Sequence, residues 1–189
     1  MLDTISQRID EHAALLQQMN ALAPAIAELA HMARETLDRD GKILLCGNGG
    51  SAADAQHIAA ELVGRFQRDR QGLAAIALTT DTSILTSVGN DYGFEQIFTR
   101  QVQALARAGD LLIGISTSGN SANVLAAIET ASAIGCRTVG LLGGDGGKIA
   151  RQVDMAITIP SSVTARVQEM HILVGHILCE LVETPAEDT

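Results

Sequence analysis

Lys42–Ser51 reads KILLCGNGGS and Asp110–Ser121 reads DLLIGISTSGNS. Each stretch passes from a run of apolar residues into a loop of small polar ones, and a helix-type segment follows. The first helix carries His57 and Glu61, and the second begins near Ala122. At such a junction backbone N–H groups and hydroxyls gather at the positive end of a helix dipole, a setting that suits a phosphate or another anion. Two of these junctions in one chain predict a phosphorylated ligand, and His57 and Glu61 suggest chemistry beside it.

The same alternation runs through the chain after Gly41. Strand-type runs occupy 42–46, 74–78, 110–115, 138–142 and 155–159, and helical segments occupy 52–66, 82–89, 94–107, 121–134 and 162–182. Continuous apolar strands separated by helices predict an α/β fold with a mostly parallel five-stranded sheet covered on both faces. Ligands of such sheets sit beyond the carboxyl ends of the strands. Gly143–Gly147 (GGDGG) is a third small-residue loop at such an end. Ahead of the sheet, Leu2, Ile5, Ile9, Leu16 and Met19 recur at helical spacing, as do Ile26, Leu29, Ala33 and Leu37. They predict two amphipathic helices with a break near Ala23–Pro24. The first has little of its own domain to cover, so its apolar stripe is expected to pack on another subunit. The chain is expected to be one domain over 1–189, a helical pair at 1–40 followed by an α/β core at 41–189.

Composition narrows the function classes. The 189 residues are 47% hydrophobic, enough for a sizeable core, but only 2% aromatic with no Trp, so that core is aliphatic. A formal charge of -9 with no basic stripe argues against binding nucleic acid through its backbone. Cys46, Cys136 and Cys179 are odd in number and scattered, as expected of buried, reduced thiols in a cytoplasmic protein. The first residues do not read as a secretory signal, and no run approaches the ~18 apolar residues that cross a bilayer.

GNGGS lacks the GxGxxG spacing of a dinucleotide fingerprint and the GK[ST] of a P-loop, which disfavours NAD and ATP; by itself it could also be only a tight turn. The second loop is more specific. Ser116, Thr117, Ser118 and Ser121 place four hydroxyls in six residues, all able to donate to phosphate oxygens. An N-cap with ordinary turn polarity accounts for one or two of them. His57 and Glu61, four apart, share a helix face; they read as a metal pair, an acid/base pair, or a surface pair with no chemistry. In the last helix Gln168, Glu169, His171 and His176 interrupt an apolar run. Either His alone could be a hydrogen-bonded core residue. Gln168 and His176 lie on one side, about 12 Å apart along the axis. One ion would hold both only if the side chains lean inward or come from different subunits.

Taken together, Cys46–Phe66, Leu78–Phe98, Gly109–Ile128 and Val167–Glu183 resemble the SIS family of phosphosugar-binding domains, and within it the phosphoheptose isomerases. The resemblance implies conversion of sedoheptulose 7-phosphate to D-glycero-D-manno-heptose 7-phosphate through an enediol(ate), for heptose precursors of lipopolysaccharide or capsule. It implies a homotetramer with active sites where subunits meet. Sugar-phosphate contacts would come from Asn48, Gly49, Gly50, Ser51, Arg65, Asn90, Asp91, Ser116, Thr117, Ser118 and Ser121, with Glu61 and Gln168. His57, Glu61, Gln168 and His176 would match the family's metal position, usually zinc, and Glu61 with His176 its acid/base pair. The alternative is a non-catalytic SIS regulator that binds the replication initiator DnaA; such proteins lack counterparts of Glu61 and His176, and both are present here. Some members carry an acidic residue just before the Gln of the last helix, where this chain reads Thr164–Ala165–Arg166–Val167.

Overall fold

In the computed structural model, which describes residues 1–184, the chain opens with α1 (Leu2–Gln18) and α2 (Ala23–Asp38). Residues 185–189, the end of the expected core segment, lie outside the described residues. A 3₁₀ turn, Met19–Leu22, joins the two helices, and every residue of the join stays right-handed helical, so they run on as one nearly continuous rod. Pro24 sits in the first turn of α2, where its missing N–H leaves no bond unmade. The elements that follow are β1 (Ile43–Gly47), α3 (Gly50–Val63), β2 (Ala75–Ala77), α4 (Thr82–Tyr92), α5 (Thr99–Leu105), β3 (Leu111–Ser116), α6 (Ala122–Ile134), β4 (Arg137–Gly143), β5 (Met155–Ile159) and α7 (Thr164–Glu183).

All five strands are parallel, in the order β2-β1-β3-β4-β5. The winding therefore reverses between β1 and β3, which pair from Ile43↔Leu111 to Gly47↔Ile115. That reversal opens a crevice at the carboxyl ends of adjacent strands. The two ligand-type loops leave from these two strand ends.

The strands are apolar throughout because both faces are covered. Ile43, Leu45, Leu111, Ile113, Ile115, Val139 and Leu141 face the layer of α2, α3 and α7. Leu44, Cys46, Leu112 and Leu142 face the layer of α5 and α6. The expected helix at 94–107 is divided. Gly93, at φ 91, turns the chain, Phe94–Gln96 forms a 3₁₀ turn, and α5 is only seven residues long. Ile97 and Phe98 are buried under α6, and this anchor bends the path where periodicity alone predicts a straight helix. Helix α1 buries only Leu15 and leaves Leu2, Ile5, Ile9 and Leu16 exposed. The three cysteines are free and buried, and burial pushes the Cys46 and Cys179 thiols up to about 12. No helix of the described residues is long and apolar enough to cross a membrane.

Candidate active site

Gly49 turns the first loop with φ 57, a left-handed conformation that costs a residue without a β-carbon little. The Ser51 N–H donates to Asn48 O at 3.0 Å, and those of Ala52 and Ala53 to Gly49 O. Ser51 is buried, while Gly49 and Gly50 stay exposed at the mouth of α3. In the second loop Ser116 and Ser121 bond to each other through their hydroxyls at 2.8 Å. Ser121 stands at the N-cap of α6, yet its side chain makes no capping bond. The cap explanation of this hydroxyl therefore fails. Ser118 Oγ accepts from Asn120 N at 3.1 Å in a local turn, and Thr117 is half-buried beside it.

The loops are joined to each other. Asn48 and Asn123 exchange side-chain amide bonds, each 2.8 Å, and Asn123 is 3% exposed. The first turn of α7 closes over both. A β-carbon on Gly50 would collide with the Gln168 amide, and one on Gly143 would lie 2.5 Å from Thr117 O and 2.8 Å from Val167. Loops 47–51, 116–121 and 143–147 thus converge on the start of α7.

Helix α3 lies along α7. At their closest, a β-carbon on Gly175 would sit 2.6 Å from Ile58 Cδ1. The next side chain on α7 and the preceding one on α3 meet in the groove: the His57 and His176 rings stand edge to face, centroids 5.0 Å apart. His57 Nε2 bonds Glu61 Oε1 at 3.2 Å, and Phe66 stacks on His176 with centroids 5.6 Å apart and planes 17° from parallel. His57, Glu61 and His176 are therefore brought together, and Gln168 lies two turns back toward the loops. Asp54, one turn before His57, has one carboxylate oxygen buried without a partner. Burial pushes its pKa up to about 6, against the opposing pull of a charged His57.

His171 goes elsewhere. It is fully buried, and its Nε2 donates to Leu142 O at 3.1 Å. Because a carbonyl can only accept, Nε2 carries the proton and Nδ1 is left without a partner. Burial lowers its pKa to about 4, against the smaller opposing effect of that bond. It is the core histidine, and His176 is the one in the groove. Arg65 is exposed just beyond α3. Asn90 and Asp91 end α4, also exposed, and bond each other at 2.8 Å; no hydrogen bond among the described residues joins them to either loop. Arg166, in the Thr164–Val167 stretch, pairs with Glu169 at 2.5 Å and donates to Arg8 O, tying α7 to α1.

A zinc ion takes imidazole nitrogens and carboxylate oxygens at about 2.0–2.2 Å in a tetrahedral set. His57, Glu61, His176 and Gln168 supply donors of that kind. The 3.2 Å between His57 Nε2 and Glu61 Oε1 is close to the edge of such a tetrahedron. Among the described residues, however, no three His, Cys, Asp or Glu side chains are grouped to hold an ion. The donor chemistry fits, and the remaining side chains would have to turn inward.

The profile of the SIS domain family matches residues 8–143. A phosphoheptose isomerase of Geotalea daltonii is 56% identical over 184 residues, spanning 97% of this chain and 96% of that one. The chain belongs to the phosphoheptose isomerase family of SIS domains. Two solved phosphoheptose isomerases superpose closely. That of Neisseria gonorrhoeae has a TM-score of 0.92 at 47% identity, covering 96% of this chain and 98% of that one. That of Francisella tularensis has 0.93 at 40%, covering 96% and 97%.

Sequence reasoning on this SIS domain passed over Asn123, Phe66, Arg70 and Glu183. Asn123 carried a signal, as a polar residue on the inward face of α6 beside Val124, Ala127 and Ile128. The other three carried none, because their partners are remote in the chain.

Proposed function

We propose that this chain is an aldose–ketose isomerase that interconverts sedoheptulose 7-phosphate and D-glycero-D-manno-heptose 7-phosphate. The observation that carries this reading is the groove between α3 and α7, where Glu61 and His176 meet through His57 on the helix that leaves the first loop at the sheet's reversal. Glu61 is the base that takes a proton from C1 of the ketose, giving an enediolate, and returns one to C2. His176 is the acid that protonates O2 as the C2 carbonyl is lost and moves the O1 proton as the aldehyde forms. The steps need no redox partner or nucleotide.

The hydroxyls of Ser116, Thr117, Ser118 and Ser121, with Asn48, Gly49, Gly50 and Ser51, hold the phosphate, and Arg65, Asn90, Asp91 and Gln168 line the sugar. Binding energy spent there positions C1 and C2 without touching them. Ser51 and Glu61 are ten residues apart, about 15 Å along α3. That separation supports sites completed between protomers of a homotetramer, as does the apolar stripe left open on α1. His57, Glu61, Gln168 and His176 would hold zinc, which when bound would polarise the two substrate oxygens. The buried free thiols support a reducing cytoplasm. No observation favours the reading as a regulator that binds the replication initiator.

The test is turnover of sedoheptulose 7-phosphate by the purified chain, with elemental analysis for zinc. Glu61→Gln should abolish turnover and keep the fold, and His57→Ala should lower bound metal. An inactive wild-type protein would end the assignment, and an active Glu61→Gln would remove Glu61 from the role of base.

A further inference from the structure

Glu183, in the last turn of α7, is charged yet its side chain is only 1% exposed. Its carboxylate accepts from three successive backbone N–H groups, those of Phe66, Gln67 and Arg68, at 2.7, 2.8 and 3.0 Å. It also pairs with Arg70 at 2.9 Å. Burial alone would raise its pKa, but the three amide donors and the Arg70 charge bring it below the usual range. A buried carboxylate this fully partnered is held in one place.

Both ends of the network reach the groove. Arg70 donates to Glu61 O at 3.0 Å and Leu62 O at 2.8 Å, satisfying carbonyls of the last turn of α3 that no helical N–H can reach. Glu61 thus sits on a turn whose end is tied to α7. The backbone clamp at 66–68 sets the Phe66 ring against one face of His176, whose edge meets His57. One side chain in the last turn of α7 therefore constrains the backbone of the proposed base and the ring of the proposed acid.

We propose that Glu183 is a positioning residue of the isomerase, acting through Arg70 on Glu61 and through Phe66 on His176. The proposal rests on the reading of Glu61 and His176 given above. It touches neither substrate nor reacting atom, so it governs turnover rather than affinity.

The test compares Glu183→Gln, Phe66→Leu and Phe66→Tyr with the wild type, using kinetics per folded molecule and the imidazole NMR signals of His176. Glu183→Gln and Phe66→Leu should each lower kcat about tenfold or more with KM within about twofold, and Phe66→Tyr, which keeps the ring, should retain near-normal kcat. The His176 signals, which feel the ring current of Phe66, should move in Phe66→Leu and move likewise in Glu183→Gln. Wild-type kcat in Phe66→Leu, or unmoved His176 signals in Glu183→Gln, would overturn the proposal. Should Glu183→Gln fail to fold, the Phe66 pair still decides it. Glu61→Gln, run alongside, separates the two layers: if it stays active the assignment of Glu61 as base falls, whereas the NMR comparison judges the clamp independently.

Discussion

Gly175→Ala probes the contact that sets the width of the α3–α7 groove. The added methyl would lie 2.6 Å from Ile58 Cδ1 and 2.7 Å from Ile58 Cγ1, where carbon atoms ordinarily rest about 3.5–4.0 Å apart. About 1 Å must be taken up. Ile58 is 1% exposed and surrounded by core, so the helices themselves have to separate. Removing Gly from a helix interior gains about 1 kcal/mol, and overpacking a filled core costs about 1–3 kcal/mol. The net is a destabilisation of about 1 kcal/mol, a Tm lower by about 2–4 °C. The functional loss should be larger, because the residues next to the clash are His57 and His176. A displacement near 1 Å there is worth up to about a hundredfold in rate. Urea unfolding and steady-state isomerisation measure the two effects. Ile58→Ala removes both clashing atoms and alone should cost about 2–5 kcal/mol. The double variant should be more stable than the sum of the singles by about 1–2 kcal/mol. A Gly175→Ala protein that is more stable than wild type with unchanged kcat, or strict additivity with Ile58→Ala, would refute the close approach and its control of the site.

Two further outcomes follow from the described geometry. His171, neutral in the fold with a pKa near 4 against an ordinary 6.5, must be deprotonated to stay buried. Its contribution is complete above about pH 6.5 and is lost as pH falls toward 4, about 2–3 kcal/mol between pH 8 and 4.5. Asp54, raised from 3.8 to about 6, works the other way, losing its contribution as pH rises through that window. The difference between wild type and His171→Leu in urea titrations isolates the histidine, and a difference that does not change with pH would refute its buried neutral state. Ser116→Ala combined with Ser118→Ala breaks the Ser116–Ser121 pair and empties the loop of two donors. Hydrogen bonds to a charged group are worth about 1.5–3 kcal/mol each, so KM should rise at least tenfold while kcat changes little; an unchanged KM would remove the phosphate anchor.

Local pattern was enough for the strands and for the loops, though not for the helix expected at 94–107, which the buried Ile97 and Phe98 divide. Apolar runs broken by small polar residues marked every strand, and Met155–Ile159 has the same bounds in sequence and structure. The i, i+4 spacing of His57 and Glu61 put them on one helix face before any neighbour was known, and their 3.2 Å bond follows from that spacing. Such readings succeed because helix and strand periods are properties of the backbone itself.

What stood opposite each face was decided only by the tertiary structure. His171 and His176 are five residues apart on the same helix, so they point in different directions. Which one is buried under the Leu142 carbonyl and which one meets His57 depends on where the sheet and α3 lie. The neighbouring of β1 and β3, which brings two loops into one crevice, depends on the strand order. Glu183 looked like any charge near a helix end; the amides it gathers lie more than a hundred residues earlier. A carboxylate is stable in that place only because the folded chain carries donors to it, and no local pattern of residues records which distant segment will supply them.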